Sequence, residues 1–203
     1  MFVATKQENA MRLYQLILGI AAMTVSIFSL NAQTAYTVSN FEMTVEGTST
    51  LHDWTSEVTE VKAEAKLRIA EQRLQGIDKL VVTVPAESIK STKGRIMDNK
   101  TYDALKSKRN PNITFKMADA KVTPTGANTV RVEASGQLTI AGATRTVTLK
   151  ANGTAAKDGN ITFVGSKSLL MTDYNMETPT ALMGTITTGD EVTIRFKLTL
   201  ETD

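Results

Sequence analysis

Near the C-terminus Val192, Ile194, Phe196, Leu198 and Leu200 alternate with Thr193, Arg195, Lys197 and Thr199. A strand sends successive side chains to opposite faces, so this period of two describes a strand with one dry face and one wet face. Val130, Val132, Leu138 and Ile140 alternate in the same way with Arg131, Glu133, Gln137 and Thr139. Eight segments carry the signal, near 36–47, 56–69, 74–84, 112–123, 128–141, 145–156, 160–171 and 190–201. No repeat of about 20–50 residues and no linker-like stretch divides them. The fold class that follows is all-β, a single domain of eight antiparallel strands.

The connections fall into two groups. Short turns follow the second, fourth and sixth strands, around AEQR, PTGAN and KDGN. The connections after the first, third and seventh hold nearly everything irregular: STLHDW, the segment Pro85–Pro111, and DYNMETPTALMGTITTGD. The short AGATRT joins the fifth strand to the sixth. In an up-and-down meander the connections after odd strands emerge at one end. One mouth is therefore expected to be decorated and the opposite end plain.

Closing eight strands removes exposed edges and leaves an interior that side chains can fill or that can hold one small ligand. Expected inward positions include Ala63, Ala65, Ala134, Gly136, Ala151, Gly153, Ala155 and Gly165. Small residues facing small residues leave space in an interior that would otherwise pack like a crystal. The remaining inward positions are almost all apolar, so the expected guest is apolar.

Composition narrows the function. With 203 residues and a formal net charge of +2, nothing calls for nucleic acid or an anionic membrane as an obligate partner. The chain has no cysteine, which removes thiolate metal sites and thiol nucleophiles. Lys6 and Arg12 precede the apolar run LILGIAAMTVSIFSL, and Ala32 offers a small residue for cleavage. Residues 1–32 therefore read as a secretory signal peptide, with the barrel domain over 33–203. No transmembrane segment is expected once the leader is removed, and the expected location is periplasmic or secreted.

One stretch imitates chemistry. GTSTLHDW carries the chain's only histidine, His52, and its only tryptophan, Trp54, with Ser49 and Asp53 close by. In an extended segment His52 and Asp53 point to opposite faces, so no Ser–His–Asp relay forms locally. One histidine without cysteine is a poor start for a zinc site. The expectation is that His52 and Trp54 anchor the rim, with Asp53 capping a turn. No catalytic residue, metal or cofactor is assigned. Within Ala86–Asn110 cations outnumber acids, and MDNKTYDALKS reads as a short helix with Asp98 as its cap and Met97 stapled onto Tyr102.

Four passages then occur in a familiar order: VEGTSTLHDW, IMDNKTYDALKSKRNPNITFKM, GQLTIAGATRTVTL and MTDYNMETPTALMGTITTGDEVTIRFKLTL. Together they resemble the YceI-like family of exported bacterial barrels. The resemblance spans nearly all of the chain beyond the leader. It implies a closed lipocalin-like barrel that binds a long isoprenoid, such as a quinone-type or polyprenyl lipid, without enzymatic activity. Ala141 stands in the hairpin turn where many relatives carry histidine.

Strand parity assigns Phe115, Met117, Leu138, Ile140, Phe163, Leu169, Ile194 and Phe196 as ligand-lining residues, with head-group contacts from the lysines and arginines of residues 90–109 or from Tyr174 and Asn175. Two other classes compete with the lipid carrier. One is an envelope protein-interaction or stress module with a packed barrel, and the other is a hydrolase using acids at the mouth. A homodimer is left open.

Overall fold

The structure, a computed structural model, describes residues 33–202. The elements in chain order are β1 (Gln33–Ser49), β2 (Trp54–Val58), β3 (Lys62–Ala70), β4 (Arg73–Pro85), β5 (Ile89–Ser91), helix α1 (Arg95–Leu105), β6 (Asn112–Pro124), β7 (Thr129–Ile140), β8 (Ala143–Ala155), β9 (Ile161–Leu170), β10 (Thr180–Ala181) and β11 (Ile186–Thr202). Antiparallel pairing runs β1–β3–β4–β6–β7–β8–β9–β11, and β11 pairs back onto β1. Eight strands thus close into an antiparallel barrel, with α1 inserted between the third and fourth of them. The expected leader lies outside the described residues.

The closing seam explains why the alternation is so clean there. Met43 pairs with Phe196, Val45 with Ile194, and Phe41 with Leu198. On the wet face Lys197 bonds Glu42 at 2.9 Å and Arg195 bonds Glu46 at 2.8 Å. Such exposed pairs add only about 0.2–1 kcal/mol each, so the inward apolar pairs hold the seam.

The second expected strand, 56–69, is two strands. β2 pairs with the mouth half of β1, whereas β3 pairs with its other end. The chain steps between them at Thr59–Val61, opposite a second break at the 3₁₀ turn Ala86–Ser88 that follows β4. Thr59 donates its amide (2.9 Å) and its hydroxyl (3.0 Å) to the Ser88 carbonyl, and Ser88 Oγ lies 2.7 Å from the Pro85 carbonyl. The two breaks therefore satisfy each other, and no alternation pattern registers a sideways step.

Two ladders are incomplete. β4 and β6 pair only from Val81↔Lys116 to Pro85↔Asn112, and β8 and β9 only from Lys150↔Ser166 to Ala155↔Ile161. The first gap opens toward the plain end and the second toward the mouth. The 3₁₀ turn Thr172–Tyr174 packs on both β8 and β9 and buries Tyr174, which is 1% exposed. Its hydroxyl has no hydrogen-bond partner among the described residues, and burial, with Asp173 beside it, pushes its pKa up.

Helix α1 differs from the expected one in how it starts. Its cap is Gly94, at φ +88, and Asp98 sits inside the first turns. The Asp98 carboxylate instead accepts the Ser91 amide at 2.6 Å, fixing the helix to β5. Met97 is therefore a helical residue, not one preceding the cap, and the staple onto Tyr102 has no place. The Tyr102 hydroxyl is held by Lys90 and by the Glu87 carbonyl.

Candidate ligand-binding site

The plain end is solid. Tyr36, Leu74, Val130 and Ile161, each at most 3% exposed, fill the barrel behind the turns at 71–72, 125–128 and 156–160. Tyr36 reaches across to the Gly159 carbonyl, and burial raises the pKa of its phenol. Arg73 donates to the Ala127 carbonyl at 3.0 Å and so ties two of those turns together. Above this floor the barrel encloses a cavity of about 510 Å³ that opens at the decorated mouth. That lies within the usual span of small-molecule pockets, roughly 300–1,000 Å³. A barrel with this much space is not the packed one of the interaction-module alternative.

Seven of the eight residues assigned by parity stand in the cavity wall: Phe115, Leu138, Ile140, Phe163, Leu169, Ile194 and Phe196. Met117 does not. It packs against the core beside the bulge between Met117 and Asp119, where the β6–β7 register shifts.

The small residues are not all room. A Cβ on Gly153 would meet the Phe163 ring at 3.1 Å, and one on Gly165 would meet the Phe196 ring at 2.6 Å. These glycines are seats for rings on the neighbouring strands, since Gly153 pairs with Phe163 and Gly165 with Phe196. Of the expected small positions, Ala134 and Ala151 face the cavity itself.

α1 roofs part of the mouth. Met97, Lys100, Thr101, Ala104 and Leu105 all face the cavity, spaced as one side of a helix. Three of the cations expected to select a head group, Lys90, Lys100 and Lys106, are engaged in holding this roof. Lys100 donates to the Thr180 carbonyl at 2.8 Å and Lys106 to the Asn175 carbonyl at 2.9 Å, which ties α1 to the 171–185 loop. Lys90 bonds the Tyr102 hydroxyl, and that contact raises its pKa. Tyr174 and Asn175 stand outside the cavity wall.

The Ser49–Trp54 loop supplies the other side of the rim. Ser49, not Asp53, organises the turn: its hydroxyl donates to the His52 carbonyl at 2.7 Å and accepts the amides of Leu51 and His52. That occupies the hydroxyl locally. The His52 ring lies 2.7 Å from the Asp53 carbonyl oxygen, so no relay of serine, histidine and carboxylate exists here. Trp54 lies across Gly47, where a Cβ would meet the ring at 2.4 Å, and its indole N–H donates to the Thr48 carbonyl. His52 and Trp54 both touch the cavity mouth.

One wall residue escaped sequence reasoning. Lys167 shares the inward parity of Phe163, Gly165 and Leu169 and faces the cavity. Its position is legible in the alternation, but a lysine is at odds with an apolar lining.

The family model for the YceI-like domain matches residues 30–200. The chain belongs to the YceI-like family. Solved structures share the fold at low identity. BcnA of Burkholderia cenocepacia is 19% identical, with a TM-score of 0.61, over 80% of this chain and 96% of that one. A Campylobacter jejuni YceI protein is 23% identical, with a TM-score of 0.56, over 73% and 85%. A polyisoprenoid-binding domain from Saccharophagus degradans, implicated in plant cell wall breakdown, is 12% identical, with a TM-score of 0.62, over 84% and 100%. A comparison with curated protein sequences returned no match. Among the described residues no helix is long and apolar enough to cross a membrane.

Proposed function

We propose that this protein is an exported, non-enzymatic carrier or store for one long apolar isoprenoid, held tail inward with its head at the mouth. The observation that carries the reading is the cavity of about 510 Å³, walled mainly by apolar side chains and bordered by the decorated mouth. Family membership and the resemblance in fold to a polyisoprenoid-binding domain favour binding over catalysis. Export rests on residues 1–32, whose basic start, apolar middle and Ala32 exit suit cleavage there.

The energetics are sufficient without polar contacts. Burying about 400 Å² of apolar ligand is worth about 10 kcal/mol. An association cost of about 4 kcal/mol leaves about 6 kcal/mol, a dissociation constant of tens of micromolar.

The test is native mass spectrometry of protein purified from its own envelope, with an Ala104→Trp variant beside it. Ala104 faces the cavity from α1, so an indole there should plug the mouth while leaving the barrel strands alone. A co-purifying lipid in the parent and at least a tenfold weaker uptake of an isoprenoid quinone in the variant are expected. Equal uptake by a folded Ala104→Trp protein would place the ligand elsewhere and overturn the reading.

A further inference from the structure

Lys167 is the anomaly of the barrel interior. Counted from the floor, β9 turns Ile161, Phe163, Gly165, Lys167 and Leu169 inward, and Lys167 pairs across the ladder with Ile194, itself a wall residue. Three cations on the outer face of the same half of the barrel have carboxylate partners: Lys150 with Glu133, Arg195 with Glu46, and Lys197 with Glu42. Lys167 is half-buried and, among the described residues, has no hydrogen bond or ion pair. Among the described residues the cavity wall contains no aspartate or glutamate, while Lys93 and Lys100 join it at the mouth.

An ammonium group facing an apolar enclosure is unfavourable unless something pairs with it. Leucine or valine at this position would pack at lower cost. The missing counter-charge is not in the protein wall, so it belongs to the occupant. We propose that the guest is an acidic amphiphile: a long apolar tail ending in a carboxylate or phosphate that pairs with Lys167 just inside the mouth. This inference rests on the lipid-carrier reading and refines its head group. The height suits it, because Lys167 lies immediately above Ser166, where the β8–β9 ladder ends. The Phe163-to-Lys167 stretch, about 13 Å of strand, leaves the lower wall for the tail. A charge-assisted bond from an ammonium to such a head adds to the apolar burial instead of replacing it.

The experiment uses matched pairs of probes with identical tails: geranylgeranyl monophosphate against geranylgeraniol, and oleate against oleyl alcohol. Binding is read by calorimetry and by the fluorescence of Trp54, the chain's only tryptophan, which stands at the mouth. The expected result is that the parent prefers the acid of at least one pair by tenfold or more. That preference should fall toward one in Lys167→Met and persist in Lys167→Arg. The pair with the larger preference assigns phosphate or carboxylate. Equal binding of acid and alcohol by the parent, or an undiminished preference in a folded Lys167→Met, overturns the proposal while leaving the carrier reading intact. Failure of all four probes to bind the parent overturns the carrier reading and this inference with it.

Discussion

At the plain end Tyr36, Leu74, Val130 and Ile161 are buried among their neighbours, whereas at the mouth Leu138, Ile140, Leu169 and Ile194 present similar side chains to an open cavity. Both sets come from the same alternating strands. What differs is what faces them. Below, the apolar groups belong to one buried cluster behind tight turns, although the β4–β6 ladder is unpaired there. Above, the strands part at the β8–β9 gap, and the long connections carry α1 and the 171–185 loop around the opening. A barrel of uniform strands thus has a packed end and an open end, and the length of its connections separates the two.

The largest expected effect tests that division. Ile161→Ala, at a position 0% exposed, should cost about 2–5 kcal/mol in urea unfolding, because it leaves a void in packed surroundings. Leu169→Ala removes a similar volume from a wall that already borders empty space and should cost less than about 1.5 kcal/mol. Equal losses at the two sites would mean the mouth is packed as tightly as the floor.

A smaller effect should sharpen the account of the plain end. The β3–β4 turn places Glu71 and Gln72 at φ +52 and +57, in the left-handed region that Asn-Gly prefers in two-residue hairpins. Replacing the pair with Asn-Gly should raise stability by about 0.5–1 kcal/mol, measured as a shift in the urea midpoint at unchanged slope.

The smallest effect belongs to the mouth and depends on pH. Asp190 accepts the Thr172 hydroxyl at 2.5 Å and the Thr172 amide at 2.9 Å, holding the turn that fills the β8–β9 gap. Those bonds, the hydroxyl foremost, keep its pKa below the ordinary 3.8. A depressed folded pKa stabilises the fold above the unfolded value and loses that contribution as pH falls through the folded one. Asp190→Asn should therefore melt slightly below the parent at pH 7, with the difference shrinking below about pH 4. A constant difference across that range would show that the carboxylate charge is irrelevant to the turn.

How much of this could be read in advance varies with the physics involved. All eight barrel strands were legible, because burying one face of a sheet forces a period of two whatever surrounds it. Of the eight residues that parity assigns inward, seven face the cavity. Met117 packs on the core instead, just before the bulge, and Lys167 has a countable inward position but a residue type at odds with an apolar lining. The helix was legible too, though its cap was not, since Asp98 was engaged by Ser91 from another element.

By itself the sequence determined the class of fold, the number of barrel strands and the decorated and plain ends. Each of these follows from local spacing or from the mere presence of a residue type. Tertiary structure alone decided where the space lies. Whether Gly153 and Gly165 were cavity or ring seats depended on Phe163 and Phe196 from neighbouring strands, and the lysines around the mouth became ties or free charges according to which carbonyls the folded loops presented. Packing and ion pairing are properties of groups distant in the chain, so only the closed barrel could settle them.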